Sequence, residues 1–157
     1  MPDRSEPSPE AMLRSFIARF EPADQKLIRA VRAALRKRLP TAHELLYDYT
    51  TFFVIGYSPT ERGIDSVLAF AGRPDGLRLY FSQGPLLRDP KGLLEGKGKA
   101  TRFIRLTSAK QLADPDVVAF TTASIAQAKI PLAATGKGKF FLRPKAAKKK
   151  PARRPGK

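Results

Sequence analysis

Hydrophobic spacing changes character along this chain, and that change limits the fold more than any single motif. Before residue 40 the apolar side chains recur at helical intervals, and from Glu44 they alternate in twos. Ser8-Pro9-Glu10 supplies an N-cap, a first-turn proline and a first-turn acid. Met12, Leu13, Phe16, Ile17 and Phe20 follow, which predicts a helix over 9–20. Pro22 opens a second helix, 22–38, with Leu27, Ile28, Val31, Ala34, Leu35 and Leu39 on one stripe. Lys26, Arg29, Arg32, Arg36 and Lys37 occupy its other side.

Strands are expected at Leu45–Tyr49, Thr51–Tyr57, Ile64–Ala71, Leu77–Ser82 and Thr101–Leu106, from their aromatic and β-branched content. Pro74-Asp-Gly76 is a turn signal between the third and fourth. In the fourth, Leu77, Leu79 and Phe81 face one way and Arg78, Tyr80 and Ser82 the other, the pattern of a sheet with one buried face. Asp114-Pro115-Asp116 starts a last helix over 115–129. Residues 117–128 carry no charge, so the sheet or a partner covers them, and this helix is the candidate face for a homodimer. The expected fold is α+β: an antiparallel sheet of about five strands, two N-terminal helices and one C-terminal helix, with the helices mainly on one face.

Charge divides the chain. Lys137 to Lys157 holds ten Lys or Arg and no acid, so +10 of the net +16 sits in the last 21 residues. A segment so charged buries too little apolar surface to offset the entropy of ordering it. The expected organisation is a flexible 1–8, a folded body 9–136 and a disordered basic tail 137–157. A body of that size is one ordinary domain with room for a core.

Several function classes fall away. With no cysteine in the sequence, disulfides, thiolate nucleophiles and Cys-ligated metal centres are excluded. Phe52-Phe-Val-Ile55 is the longest strongly apolar run, far short of the roughly 20 residues of a membrane span. The first ten residues are polar, without the basic start and apolar stretch of a secretory signal, so the expectation is a soluble cytoplasmic protein.

The stretch Leu86-Leu-Arg-Asp-Pro-Lys-Gly-Leu-Leu-Glu-Gly-Lys-Gly-Lys-Ala-Thr-Arg-Phe-Ile-Arg-Leu106 resembles the YdhG-like domain family, a family of uncharacterised function. The resemblance runs back through Leu77-Arg-Leu-Tyr-Phe81 and Pro40-Thr-Ala-His-Glu44 and covers roughly residues 12–128. It implies an α+β fold similar to frataxin, and an intracellular iron or small-molecule carrier as one possible role. Frataxin binds iron through an acidic ridge on its first helix and adjoining strand, whereas helix 22–38 here is basic outside. No iron ligand, other metal ligand or cofactor is carried over.

His43 is the only histidine, beside Glu44 and with Asp48 further along. On one extended strand Glu44 and Asp48 lie roughly 13 Å apart, too far to share an ion. His43 is therefore expected to be a surface or hairpin-start residue. Ser58, in Gly56-Tyr-Ser-Pro-Thr60, fails the Gly-x-Ser-x-Gly elbow, and no close carboxylate pair stands out. No catalytic residue is assigned, and an enzyme is not expected.

Gly92-Leu-Leu-Glu-Gly96-Lys-Gly98 has three residues between its first glycines where the Walker pattern has four, and glycine where the magnesium ligand belongs. Nucleotide hydrolysis is rejected, but the glycine amides with Lys97, Gly98, Lys99, Arg102 and Arg105 form a candidate anion site. Arg78 and Tyr80 extend it, since an aromatic beside cations on an open sheet face can stack a base. In the tail, Lys145, Lys148, Lys149, Lys150, Arg153 and Arg154 are candidates for holding DNA or RNA phosphates without sequence preference. The function expected is thus a non-enzymatic, polyanion-binding module, with the frataxin-like carrier as the alternative.

Overall fold

A computed structural model describes residues 8–143. Helix α1 spans Pro9–Ile17 and α2 Pro22–Arg38; strands β1 to β5 are His43–Asp48, Phe53–Ser58, Leu68–Arg73, Gly76–Ser82 and Thr101–Leu106; α3 is Pro115–Ala126 and β6 is Phe140–Arg143. The described residues thus form an α+β body of three helices and one six-stranded mixed sheet, ordered β5-β4-β3-β2-β1-β6.

The caps explain where the helices start. Ser8 Oγ accepts the Ala11 amide at 3.1 Å, Asp114 accepts that of Asp116 at 2.9 Å, and Pro9, Pro22 and Pro115 each follow a cap residue. The expected bounds of α2 are reproduced. Helix α1 stops at Ile17 rather than 20, because Pro22 forces Glu21 into extended backbone (φ −62°, ψ 152°) and the chain leaves the helix through a tight turn. In α3, Val117, Phe120, Thr121 and Ser124 are buried within this chain, which accounts for much of its lack of charge.

β3 begins at Leu68, not at Ile64. Thr60 Oγ1 donates to Asp65 at 2.8 Å and Ser58 Oγ to the Arg62 carbonyl at 3.1 Å, and these bonds favour a short 3-10 turn, Gly63–Asp65, over a strand. β4 alternates as expected, with Leu77, Leu79 and Phe81 buried and Arg78, Tyr80 and Ser82 half-buried.

The larger correction concerns the chain's end. Residues 137–143, assigned above to a disordered tail, are ordered, and the sheet is neither five-stranded nor wholly antiparallel. β6 runs parallel to β1, pairing Phe140 with Glu44 and Leu142 with Leu46. Phe140 and Leu142 pack on the core, while the Phe141 ring meets His43 at 5.5 Å. Phe140 and Leu142 thus find apolar contacts on the core face and Phe141 an edge-on ring contact on the other, which favours a strand despite the charge around it. Residues 144–157, with all six tail cations named above, lie outside the described residues, as do 1–7.

Side chains of all three helices and one alternating set of strand residues make a single core cluster. On the sheet's other face, Tyr47, Tyr49, Val54, Ala69 and Tyr80 border an open groove of about 720 Å³. No helix of the described residues is long and apolar enough to cross a membrane.

Candidate anion-binding site

Strand register sets the centre of the site. Glu44 lies between Tyr57 on β2 and Phe140 on β6, on the core side of the sheet, and is 4% exposed. A carboxylate so placed needs charge and hydrogen bonds to compensate lost water. Arg32, one strip across on α2, provides a two-pronged contact: Nη2 donates to Oε1 at 2.8 Å and Nε to Oε2 at 3.0 Å. The Tyr57 hydroxyl donates to Oε2 at 2.8 Å, and Arg36 Nε stands 3.6 Å from Oε1.

Arg32 also donates to both oxygens of Glu10 on α1, at 3.0 and 3.1 Å, and its guanidinium lies 4.4 Å over the Phe140 ring. Burial works against its charge, but the bonds to Glu44 and Glu10 outweigh that and raise its pKa. Burial, and then the Glu44 charge, push the Tyr57 hydroxyl well above its usual value. Tyr57 stays a donor across the physiological range.

Arg32 lowers the Glu10 carboxyl below its ordinary 4.5 through its hydrogen bond, against some opposing burial. A carboxylate depressed on folding stabilises above its ordinary value, and that contribution disappears as pH falls through its folded value. Glu10→Gln is therefore expected to lower stability at neutral pH, with the difference from the parent chain shrinking as pH falls below about 4.5, as thermal melts between pH 3 and 7 would show. The effect is modest, because the Glu10 side chain is half exposed.

Glu44, Tyr57 and Phe140 line a pocket of about 280 Å³ whose cationic lining is Arg36, Lys37, Lys137 and Lys139. Two sequence-distant segments meet here because residues 137–140 bond along 40–44. Gly138 N donates to the Pro40 carbonyl at 2.9 Å, Glu44 N to the Lys139 carbonyl at 2.8 Å, and Lys139 N to His43 Nδ1 at 3.0 Å. His43, first residue of β1, is thus an acceptor fastening β6. The one acid in the lining is already held by Arg32 and Tyr57, so the surplus charge is positive. Arg36, Lys37 and Arg38 also offset the partial negative charge at the C-terminal end of α2. Such a recess suits a small anionic group.

The site expected on β4, β5 and the preceding loop is differently arranged. Arg78, Tyr80 and Arg105 share the open sheet face, whereas Arg102 is paired with Phe81 and sits on the core side. Arg78 donates to the Tyr80 hydroxyl at 3.2 Å, reaches Asp75 at 3.4 Å and lies 4.4 Å over Phe103. Arg105 pairs with Glu95 at 3.2 Å, and Arg102 turns back onto the Gly98 and Thr101 carbonyls. Earlier in the loop, the Asp89 carboxylate accepts from the Leu93 and Leu94 amides at 2.8 and 2.9 Å, so those two donors are taken. Lys97, Gly98 and Lys99 stay exposed on the loop. These groups do not converge.

Ser58 faces His43 across the β1–β2 ladder, but its hydroxyl donates to the Arg62 carbonyl and accepts from the Thr60 amide, so nothing activates it as a nucleophile. Among the described residues, no group of three or more His, Asp or Glu is placed to hold a metal ion. Sequence reasoning named Arg36 and Lys37 only as a basic helix face and Lys137 and Lys139 only as tail. The missed signal was Gly138 before an apolar Phe140-Phe-Leu142. Compared with family models, characterised proteins and solved structures, the chain matches none.

Proposed function

We propose that this chain is a non-enzymatic binding module that holds polyanions, nucleic acid above all, through one composite cationic surface. The observation that carries this reading is the convergence of Arg36, Lys37, Lys137 and Lys139 around one pocket at the root of the basic tail. From Arg143 the chain continues directly into Lys145, Lys148, Lys149, Lys150, Arg153 and Arg154. The pocket would fix one phosphate and the tail would follow its neighbours, giving affinity without base recognition. Membership of the YdhG-like family, with a frataxin-like fold, belongs to the same proposal and rests on the order of the quoted motifs. The iron-carrier alternative is not advanced, because the buried carboxylate is committed to Arg32 and Tyr57.

The test is the salt dependence of binding to a short DNA duplex. Each phosphate contact steepens the slope of log K against log salt by about 0.9. Replacing Arg36, Lys37, Lys137 and Lys139 by glutamine in the full chain is expected to lower that slope by roughly 2 to 4, and neutralising the six tail cations should lower it further. An unchanged slope in both variants would contradict the proposal. Deleting 137–157 is the wrong variant, since it removes β6 with the charges.

A further inference from the structure

On another part of the surface, we infer that a groove between the Gly63–Asp65 turn, the Gly84–Leu86 turn and the segment after α3 docks a short acidic, aliphatic peptide segment of a partner protein. This rests on none of the polyanion reading.

Five large apolar side chains stand exposed among the described residues, and three of them border this one groove of about 580 Å³: Ile64 (80%), Leu86 (67%) and Ile130 (41%). They come from three separate segments, so no single amphipathic element explains their coincidence. Apolar side chains gathered in one recess mark an interaction surface more often than scattered ones do.

The projecting residues are held in place before any partner arrives. Ser66 N donates to the Gly63 carbonyl at 3.0 Å, and Leu87 N to that of Gly84 at 3.0 Å. Gln83, in left-handed backbone at φ 54°, donates its side-chain amide to the Gln127 carbonyl at 3.0 Å, tying the second turn to the end of α3. A pre-formed apolar surface binds without first losing loop entropy.

Charge selects the occupant. Arg62, Lys99 and Lys129 rim the groove, and the one acid there, Asp65, accepts the Thr60 hydroxyl at 2.8 Å. A peptide carrying Asp or Glu beside its apolar anchors fits that rim. The chain's own tail is repelled, having ten cations and no acid from Lys137 onward. A second copy is disfavoured by the net charge of +16. Nucleic acid finds no aromatic ring in the lining on which to stack a base.

The experiment is selection of a displayed random dodecapeptide library on the full chain at physiological salt, followed by anisotropy titration of the enriched peptides. The expected result is enrichment of peptides with two aliphatic anchors flanked by Asp or Glu. Their affinity should fall at least about tenfold in Leu86→Ser and in Ile64→Ser, the loss expected for a central anchor. Both side chains are exposed, so unchanged melting of each variant verifies folding, and unchanged DNA binding separates this surface from the polyanion site. No enrichment, enriched peptides without acids, or full affinity in both variants would overturn the inference. So would displacement of the peptide by a DNA duplex, or a dimer abolished by Leu86→Ser.

Discussion

Replacing Glu44 by alanine is expected to lower the unfolding free energy by about 3 kcal/mol, read from urea denaturation. Removing one member of a buried ion pair typically costs about 3–5 kcal/mol, because the survivor stays charged and desolvated. Here the survivors are Arg32, with its side chain 13% exposed, and the fully buried Tyr57 hydroxyl. The lower end of the range applies because Arg32 keeps both bonds to Glu10. Glu44→Gln leaves an acceptor for Tyr57 and should cost about half as much, roughly one charged hydrogen bond. The cluster is not thereby a net source of stability. Arg32→Met, Glu44→Leu and Tyr57→Phe together should recover most of the loss, as well-packed apolar groups replacing a buried ion pair often do.

Gly138→Ala is expected to undo the site while leaving its charges in place. A Cβ at residue 138 would approach the Ala42 carbonyl oxygen, a backbone atom no rotamer can move. The 137–143 segment would then shift from β1, giving up its bonds to Pro40, His43 and Glu44. Overpacking of this kind typically costs about 1–3 kcal/mol. The sharper consequence is functional. Every cation remains, yet Lys137, Lys139 and Phe140 no longer face Arg36 and Lys37, so the salt slope of DNA binding should fall much as in the neutralised variant. Affinity unchanged by Gly138→Ala would mean that the ordered root is irrelevant and only total charge matters.

Local signals predicted local structure well. Pro22 and the apolar stripe that follows it place α2, and the alternation from Leu77 to Ser82 tells the buried face of β4 from its open one. What remained hidden depends on partners distant in sequence. Phe140-Phe-Leu142 is too short to announce a strand inside a cationic segment, and it becomes one because β1 offers a free edge and an apolar surface beside it. Glu44, next to His43, drew attention as a possible metal ligand. Its actual partner, Arg32, sits 12 residues earlier on a helix, where only the packing of α2 over β1 reveals the pair. The loop of Lys97 to Lys99 misled in the opposite sense. Its glycines and lysines suggest an anion site, but Asp89 takes the neighbouring Leu93 and Leu94 amides, Glu95 takes Arg105, and Arg102 turns back onto the Gly98 and Thr101 carbonyls.

The most direct test is a ¹⁵N-resolved titration of the full chain with a short DNA duplex at low salt. The account predicts saturable shifts at the amides of Lys37, Gly138 and Lys139, extending into the residues after Arg143 and suppressed by Gly138→Ala. Shifts confined to the Arg78, Tyr80 and Arg105 face, or none at all, would contradict it.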